Sequence, residues 1–398
     1  MLALLTPRMA QALLSPSARV LVAAASPARL APLAVDDLPW DAVHWPTLLS
    51  LMAYERAEAP VCRLLHRVPE RVPEEVRTAA QRLERVAQFR AAELHDAAAA
   101  VVDALAEAAV PALWLKGAAL AMQSAEGFGI RSMGDLDLLV LGSDAARARA
   151  VLTTAGWFTP GALGYDVHHH DPPMMRPGGL RLELHTALFP QQHPFADEAT
   201  EVWLRRGTEI AWGTRRVLVL PAHWHVVHAS THWAWSHEGT VGSWQYLHDM
   251  HRLTAGWSSD GAEWEAVVRS AEAFGASIPV GWGVWTAQRL AGLPTSDRVL
   301  HRLRGRPGAL GGALGGVVER EWVLAVLHSP AGSPSVRWSR YWWRAAMQGL
   351  GDDGGRWPWR AGRGGQGKLA ASVELPSGGA TPDRLSRWRR HLVRLLRS

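Results

Sequence analysis

Cysteine is almost missing: Cys62 stands alone in 398 residues. One thiol excludes an internal disulfide and a multi-cysteine zinc site, and it fits a reducing, cytoplasmic setting. Lysine is nearly as scarce, with Lys116 and Lys368 the two lysines among 42 Lys-or-Arg positions. A compact ammonium and a planar guanidinium are not interchangeable at a phosphate, so a lysine kept against an arginine bias marks position 116. No uninterrupted apolar run approaches the roughly 20 residues that a membrane-spanning helix needs. The apolar start is broken by Pro7, Arg8, Pro16 and Arg19, and no basic segment leads into a continuous apolar core as in a secretory signal. The glycine-rich run at 305–316 has no G-K-[ST] behind it and so is not a phosphate loop. No fixed-period repeat is present.

What remains is an ordinary globular composition, 48% hydrophobic and 20% charged, long enough for two or three units with a sizeable core. Residues 1–37 read as a helical or poorly ordered lead-in. Residues 38–110 carry apolar positions at three- and four-residue spacing, broken at Pro60, Pro69 and Pro73, and read as a helical scaffold. Across 111–221 short strands and helices alternate: strands at 111–115, 135–141, 165–171, 180–188 and 215–221, helices from Gly117 to Gln123 and over 143–157, and a turn at PPMMRPGG. Helical spacing returns over 222–300. Residues 301–398 turn rich in Gly, Arg and Trp, with a helix expected over 319–327, poor order beyond 349 and a basic terminal helix. The fold class expected is α+β, a small mixed sheet flanked by N-terminal and C-terminal helical regions.

The chemistry concentrates in LKGAALAMQSAEGFGIRSMGDLDLLV, residues 115–140. On a strand, residues i and i+2 share a face with their Cα atoms roughly 6.5 to 7 Å apart. Asp135 and Asp137 therefore point the same way, at the start of a strand held in the sheet by Leu136, Leu138, Leu139 and Val140. Glu183 lies mid-strand among apolar neighbours, where burying a carboxylate is expensive unless a cation or hydrogen bonds compensate it. Three acids so placed suit hard divalent ions that bridge to substrate phosphates. A salt bridge from Arg181 to Glu183, or an ordinary turn at the D-x-D, explains the same residues without a metal.

The ordered set Lys116-Gly117, Arg131, Gly134-Asp135-Leu136-Asp137-Leu138-Leu139-Val140 and Leu182-Glu183-Leu184-His185 resembles the uncharacterised nucleotidyltransferase family of the DNA polymerase β-like superfamily. His228, His232 and Leu247-His248-Asp249 are similar to that family's helical C-terminal portion. The resemblance covers roughly residues 40–293. It implies a two-metal enzyme using Mg²⁺ or Mn²⁺ that moves a nucleoside monophosphate from an NTP to a hydroxyl and releases pyrophosphate. Asp135, Asp137 and Glu183 would bind the metals, and Glu183 would also assist deprotonation of the acceptor. Lys116, Gly117, Ala118 and Arg131 would hold the triphosphate. The superfamily usually has Gly-Ser where this chain has Gly117-Ala118, so the hydroxyl contact is missing and Lys116 with the NH groups of the following helix is expected to replace it.

The acceptor is left open among a protein side chain, a small molecule, a peptide natural product and RNA. The alternative from another class is a non-catalytic partner protein that binds nucleotide or peptide on the same fold. A third is a zinc hydrolase built on His225, His228 and His232, or on His168, His169 and His170. Packing explains those imidazoles as well, and His185 either orients a carboxylate or packs. The Arg and Trp tail raises nucleic acid as a further partner, although composition bias accounts for it too.

Overall fold

The computed structural model describes residues 5–26, 35–160, 171–189, 193, 195, 198–237, 239, 241–304, 319, 320, 322 and 323. All but the last residue of the expected strand over 165–171, the histidines at 168–170, most of the helix over 319–327 and the tail beyond it lie outside these residues. The N-terminal part is helical: α1 (Pro7–Ala12), α2 (Pro16–Ala23), α3 (Trp45–Tyr54), α4 (Glu58–Leu65) and α5 (Glu74–Glu107). Both α1 and α2 carry proline in the first turn, and the N-cap hydroxyls of Thr6 and Ser15 accept from Met9 and Ala18 N–H groups. The described part of this lead-in is thus helical, and it buries Val20 and Leu21 completely.

The central part runs β1 (Ala112–Trp114), α6 (Lys116–Gln123), β2 (Asp135–Val140), α7 (Ala145–Thr154), β3 (Met174–Arg176), β4 (Leu180–His185), α8 (Thr200–Arg206), β5 (Thr208–Trp212) and β6 (Arg215–Val219). The six strands form one mixed sheet in the order β3-β4-β2-β1-β6-β5. β2 pairs parallel with β4 and antiparallel with β1, which pairs parallel with β6. PPMMRPGG is therefore more than a turn: Met174 to Arg176 make the edge strand β3, which turns through Gly178 and Gly179, both at positive φ, into β4. The last part is helical again, with α9 (Ala222–Thr231), a π-helical turn (His232–Ser236), α10 (Ser243–Leu253), α11 (Ala262–Phe274), α12 (Ser277–Ala291) and α13 (Asp297–Arg304).

Two apolar cores hold this together. One lies in and beside the sheet, around Leu136, Leu138, Val140, Leu182 and Leu184. The other joins the N-terminal helices to the C-terminal ones, with Leu21, Leu48 and Met52 packed in the same cluster as Trp244, Trp264 and Trp285. The long helix α5 bridges them: Val76, Ala80 and Leu83 enter the helical core, while Leu94, Ala98, Val101 and Leu105 enter the sheet core. Both sets follow the three- and four-residue spacing of one helical face. Among the described residues no helix is long and apolar enough to cross a membrane.

Candidate active site

The site begins with strand register. In the parallel pair β2 and β4, Asp137 lies opposite Glu183, Asp135 opposite Arg181 and Leu139 opposite His185. Asp137, Glu183 and His185 are buried, and one ligand atom from each lies within 4.8 Å of the other two, a spacing that fits a metal ion. Among the described residues this is the one such group, and it includes His185 rather than Asp135. Asp135 stays half-buried at the strand's open end, in the field of Asp137. The Leu115 N–H donates to the Asp137 carbonyl at 3.0 Å, which seats the β1–α6 turn beside the acids.

Cations of the chain itself balance these carboxylates. Lys116 Nζ donates to Asp137 Oδ1 at 2.8 Å, and His185 Nε2 lies 3.0 Å from the same oxygen. Arg181 pairs with Glu183. Burial opposes charge on Asp137, yet Lys116 and His185 outweigh it and hold the carboxyl well below the usual range. Asp135 goes the other way: burial and then Asp137 raise it, against Lys116 and Arg56. Two neighbouring carboxylates pushed apart in this way are a mark of functional sites. Burial lowers the His185 imidazole despite Asp137, so it stays neutral at neutral pH.

Lys116 takes a left-handed backbone conformation, φ 50°, where β1 turns into α6. For a residue with a Cβ this costs about 1 kcal/mol or more, a strain that persists where surrounding structure and function demand it. Gly117 follows for a steric reason: a Cβ there would come within 2.8 Å of the Arg131 guanidinium and of the Met133 sulfur. Ala118 is buried in the sheet core, where a hydroxyl would need its own hydrogen-bond partner. The α6 N-cap, Leu115, offers no side-chain acceptor, so the first N–H groups of the helix are left to other acceptors.

Arg131 reaches elsewhere. Its Nε and Nη2 donate to the two Asp249 oxygens, each at 2.7 Å, and Nη1 donates to the Ser132 carbonyl at 3.1 Å. Asp249 answers burial with this pair and is lowered to about 2. The fork lies over Gly117, and ties α10 to the turn that carries Lys116. Lys116, Gly117, Asp135, Asp137 and Glu183 therefore come together, Ala118 sits just beneath them, and Arg131 braces them from behind.

Of three further contributors, the sequence flagged two without fixing their role, and Arg56 escaped it. His185 shares a strand face with Glu183 by period 2, a signal present but ambiguous. Asp249 stood in the Leu247-His248-Asp249 run, but nothing pointed to its partner, which is 118 residues away. Arg56, from the region read as scaffold, lies against Gly134, where any side chain would collide with its guanidinium. The histidines form another layer. His228 and His232 ring centres are 6.0 Å apart, and His232 and His237 are 4.5 Å apart. Burial and then Lys116 lower all three imidazoles, which places them beside the lysine in neutral form. Among the described residues they do not converge as metal ligands with His225.

A search of the curated proteins and a search of the solved structures each find no significant match. The model of one protein family matches residues 41–292, which takes in α3 through α12, the sheet core, most of the helical core and every site residue described above. On a match of that length, together with the mixed α+β fold that carries the acids, the chain belongs to the uncharacterised nucleotidyltransferase family.

Proposed function

We propose that the protein is a metal-dependent nucleotidyltransferase that moves an NMP from an NTP to a hydroxyl acceptor and releases pyrophosphate. The observation that carries this reading is Asp137 facing Glu183 on adjoining parallel strands, both buried, with Asp135 and Lys116 at the same end. The donor set fits a divalent ion. Asp137, Glu183 and His185 would hold it, with Asp135 at the open side, and the imidazole favours Mn²⁺ over Mg²⁺ because magnesium prefers oxygen alone. Such an ion supplies charge neutralisation at the phosphates and a more acidic bound oxygen.

The chain's own residues supply position and proton handling. The α6 N–H groups and Lys116 face the polyphosphate, since a helix N-terminus and an ammonium both favour anions. Arg181 and His185 orient Glu183, whose carboxylate takes the acceptor's proton as the hydroxyl oxygen bonds the α-phosphorus. The bond from the α-phosphorus to the bridging oxygen then breaks, and its electron pair leaves with pyrophosphate. The neutral imidazoles of His228, His232 and His237 line the Lys116 side without adding charge, so the lysine's field stays directed at the acids.

The test is pyrophosphate release and label transfer from NTPs with Mn²⁺ or Mg²⁺ against a panel of hydroxyl acceptors. Asp137→Asn should lower turnover on the order of 100-fold or more, the scale of losing one preorganised electrostatic group. Buried Ala118 and the engaged Arg131 favour a second reading, a nucleotide- or peptide-binding partner without catalysis. Nucleotide binding that persists in Asp137→Asn, with no transfer by either form, would select that second reading.

A further inference from the structure

Resting on the nucleotide-binding reading above, we infer that Arg56 of the N-terminal helical region is a polyphosphate-binding residue of this site. Its backbone is the first observation. Helix α3 ends at Tyr54, Glu55 is its C-cap, and the Ala57 N–H reaches back to the Met52 carbonyl at 2.8 Å. That bond defines a Schellman turn with Arg56 at the position glycine normally fills. Arg56 indeed has φ 56°, in the left-handed region. An arginine kept where glycine is favoured signals that its side chain is needed. Among the described residues just three non-glycines have positive φ, and besides Ala109 they are Arg56 and Lys116, the cations on either side of the acid strand.

The second observation is where the guanidinium goes. It rests on Gly134, immediately before Asp135, and a Cβ at 134 would overlap it. Gly134 leaves room for that guanidinium. The third is the charge around it: Arg56 stands against the buried Glu58, drawing down a carboxyl that burial pushes up. An anion arriving beside Asp135 would meet a guanidinium there. Arg131, which the motif order suggested for this task, has its fork on Asp249. Arg56 is half-exposed and Arg131 is buried, so a ligand reaches the first more readily. A guanidinium also matches phosphate oxygens bidentately.

The test measures ATP and inorganic tripolyphosphate affinity by titration calorimetry, with melting temperature, for wild type, Arg56→Gly and Arg56→Lys. Glycine suits the left-handed turn, which offsets part of the loss of the charge beside Glu58, so Arg56→Gly should melt within a few degrees of wild type. It should bind both polyphosphates about tenfold or more weakly, the size of one lost charge-assisted contact. Arg56→Lys should recover part of that affinity. Unchanged affinity in Arg56→Gly overturns the assignment, and so does a melting temperature several degrees lower, which would make Arg56 a structural tie. Absence of ATP binding by wild type would instead overturn the nucleotide-binding reading itself, before any variant is compared.

Discussion

Two neighbouring regions bury ionisable groups and settle the cost in opposite ways. On β2 and β4 the carboxylates have cations beside them: Lys116 pairs with Asp137 and holds its carboxyl low, and Arg181 pairs with Glu183. On α9, the π-helical turn and α10 the imidazoles have few countercharges, and burial strips their protons. The difference teaches which region awaits a cation or an anionic ligand: the one where charge is retained and balanced by groups that a ligand can displace. The histidine region is a neutral wall, and its low polarity strengthens the field next door.

Acid separates the two regions and gives the largest expected effect. His225, His237 and His251 are each lowered from 6.5 to about 4, with burial the main cause. For such groups the unfolded chain binds protons first, so their contribution is complete above pH 6.5 and is lost as pH falls toward 4. Each accounts for roughly 3 kcal/mol across that window. Asp249, lowered from 3.8 to about 2, gives up its contribution only below pH 3.8. Glu55 runs the other way. Burial raises it to about 7, so its share of stability is present below pH 4.5 and is lost as pH rises through 7. Melting temperature recorded against pH should therefore drop steeply between 6.5 and 4 and again below 3.8. A flat profile down to pH 4 would break the comparison.

Next in size is the tie between the regions. Asp249→Ala strands the buried Arg131 guanidinium and should cost about 3–5 kcal/mol in denaturant unfolding. It should also weaken nucleotide binding, because Arg131 packs on Gly117. A loss of stability with unchanged affinity would uncouple the brace from the turn. The smallest effect belongs to Ala118→Ser, which restores the hydroxyl that the superfamily usually has. In the sheet core it should cost about 1 kcal/mol. Unchanged ATP affinity in that variant would indicate that Lys116 and the α6 N–H groups already suffice.

The sheet's inner strands were legible where local pattern and burial coincide. The run Leu136, Leu138, Leu139, Val140 and the alternation at Leu180, Leu182, Leu184 mark strands flanked on both sides in the sheet. The edges were not legible. β3 has three residues and reads as a turn because Gly178 and Gly179 follow it directly, while β5 is an outer strand with three of its five residues exposed and only Ile210 and Trp212 packed inward. The lead-in was left open between helical and poorly ordered because six- and eight-residue helices carry little intrinsic signal, and their stability comes from packing on the C-terminal helices.

By itself the sequence determined the carriers of the chemistry: Asp135 and Asp137 on one strand face, Glu183 on another strand, a glycine turn behind Lys116, and the order that matches the family over residues 41–292. These follow from periodicities of two and 3.6 that act over a few residues. Only the tertiary structure decided that Asp137 faces Glu183 with His185 at hand, that Asp249 takes up Arg131, and that Arg56 lies on Gly134. Those pairings join residues 46 to 118 positions apart, and no local rule chooses among partners at such distances. Close packing of two cores across α5 makes that choice, since it leaves one register for the strands and one set of countercharges within reach of the buried groups.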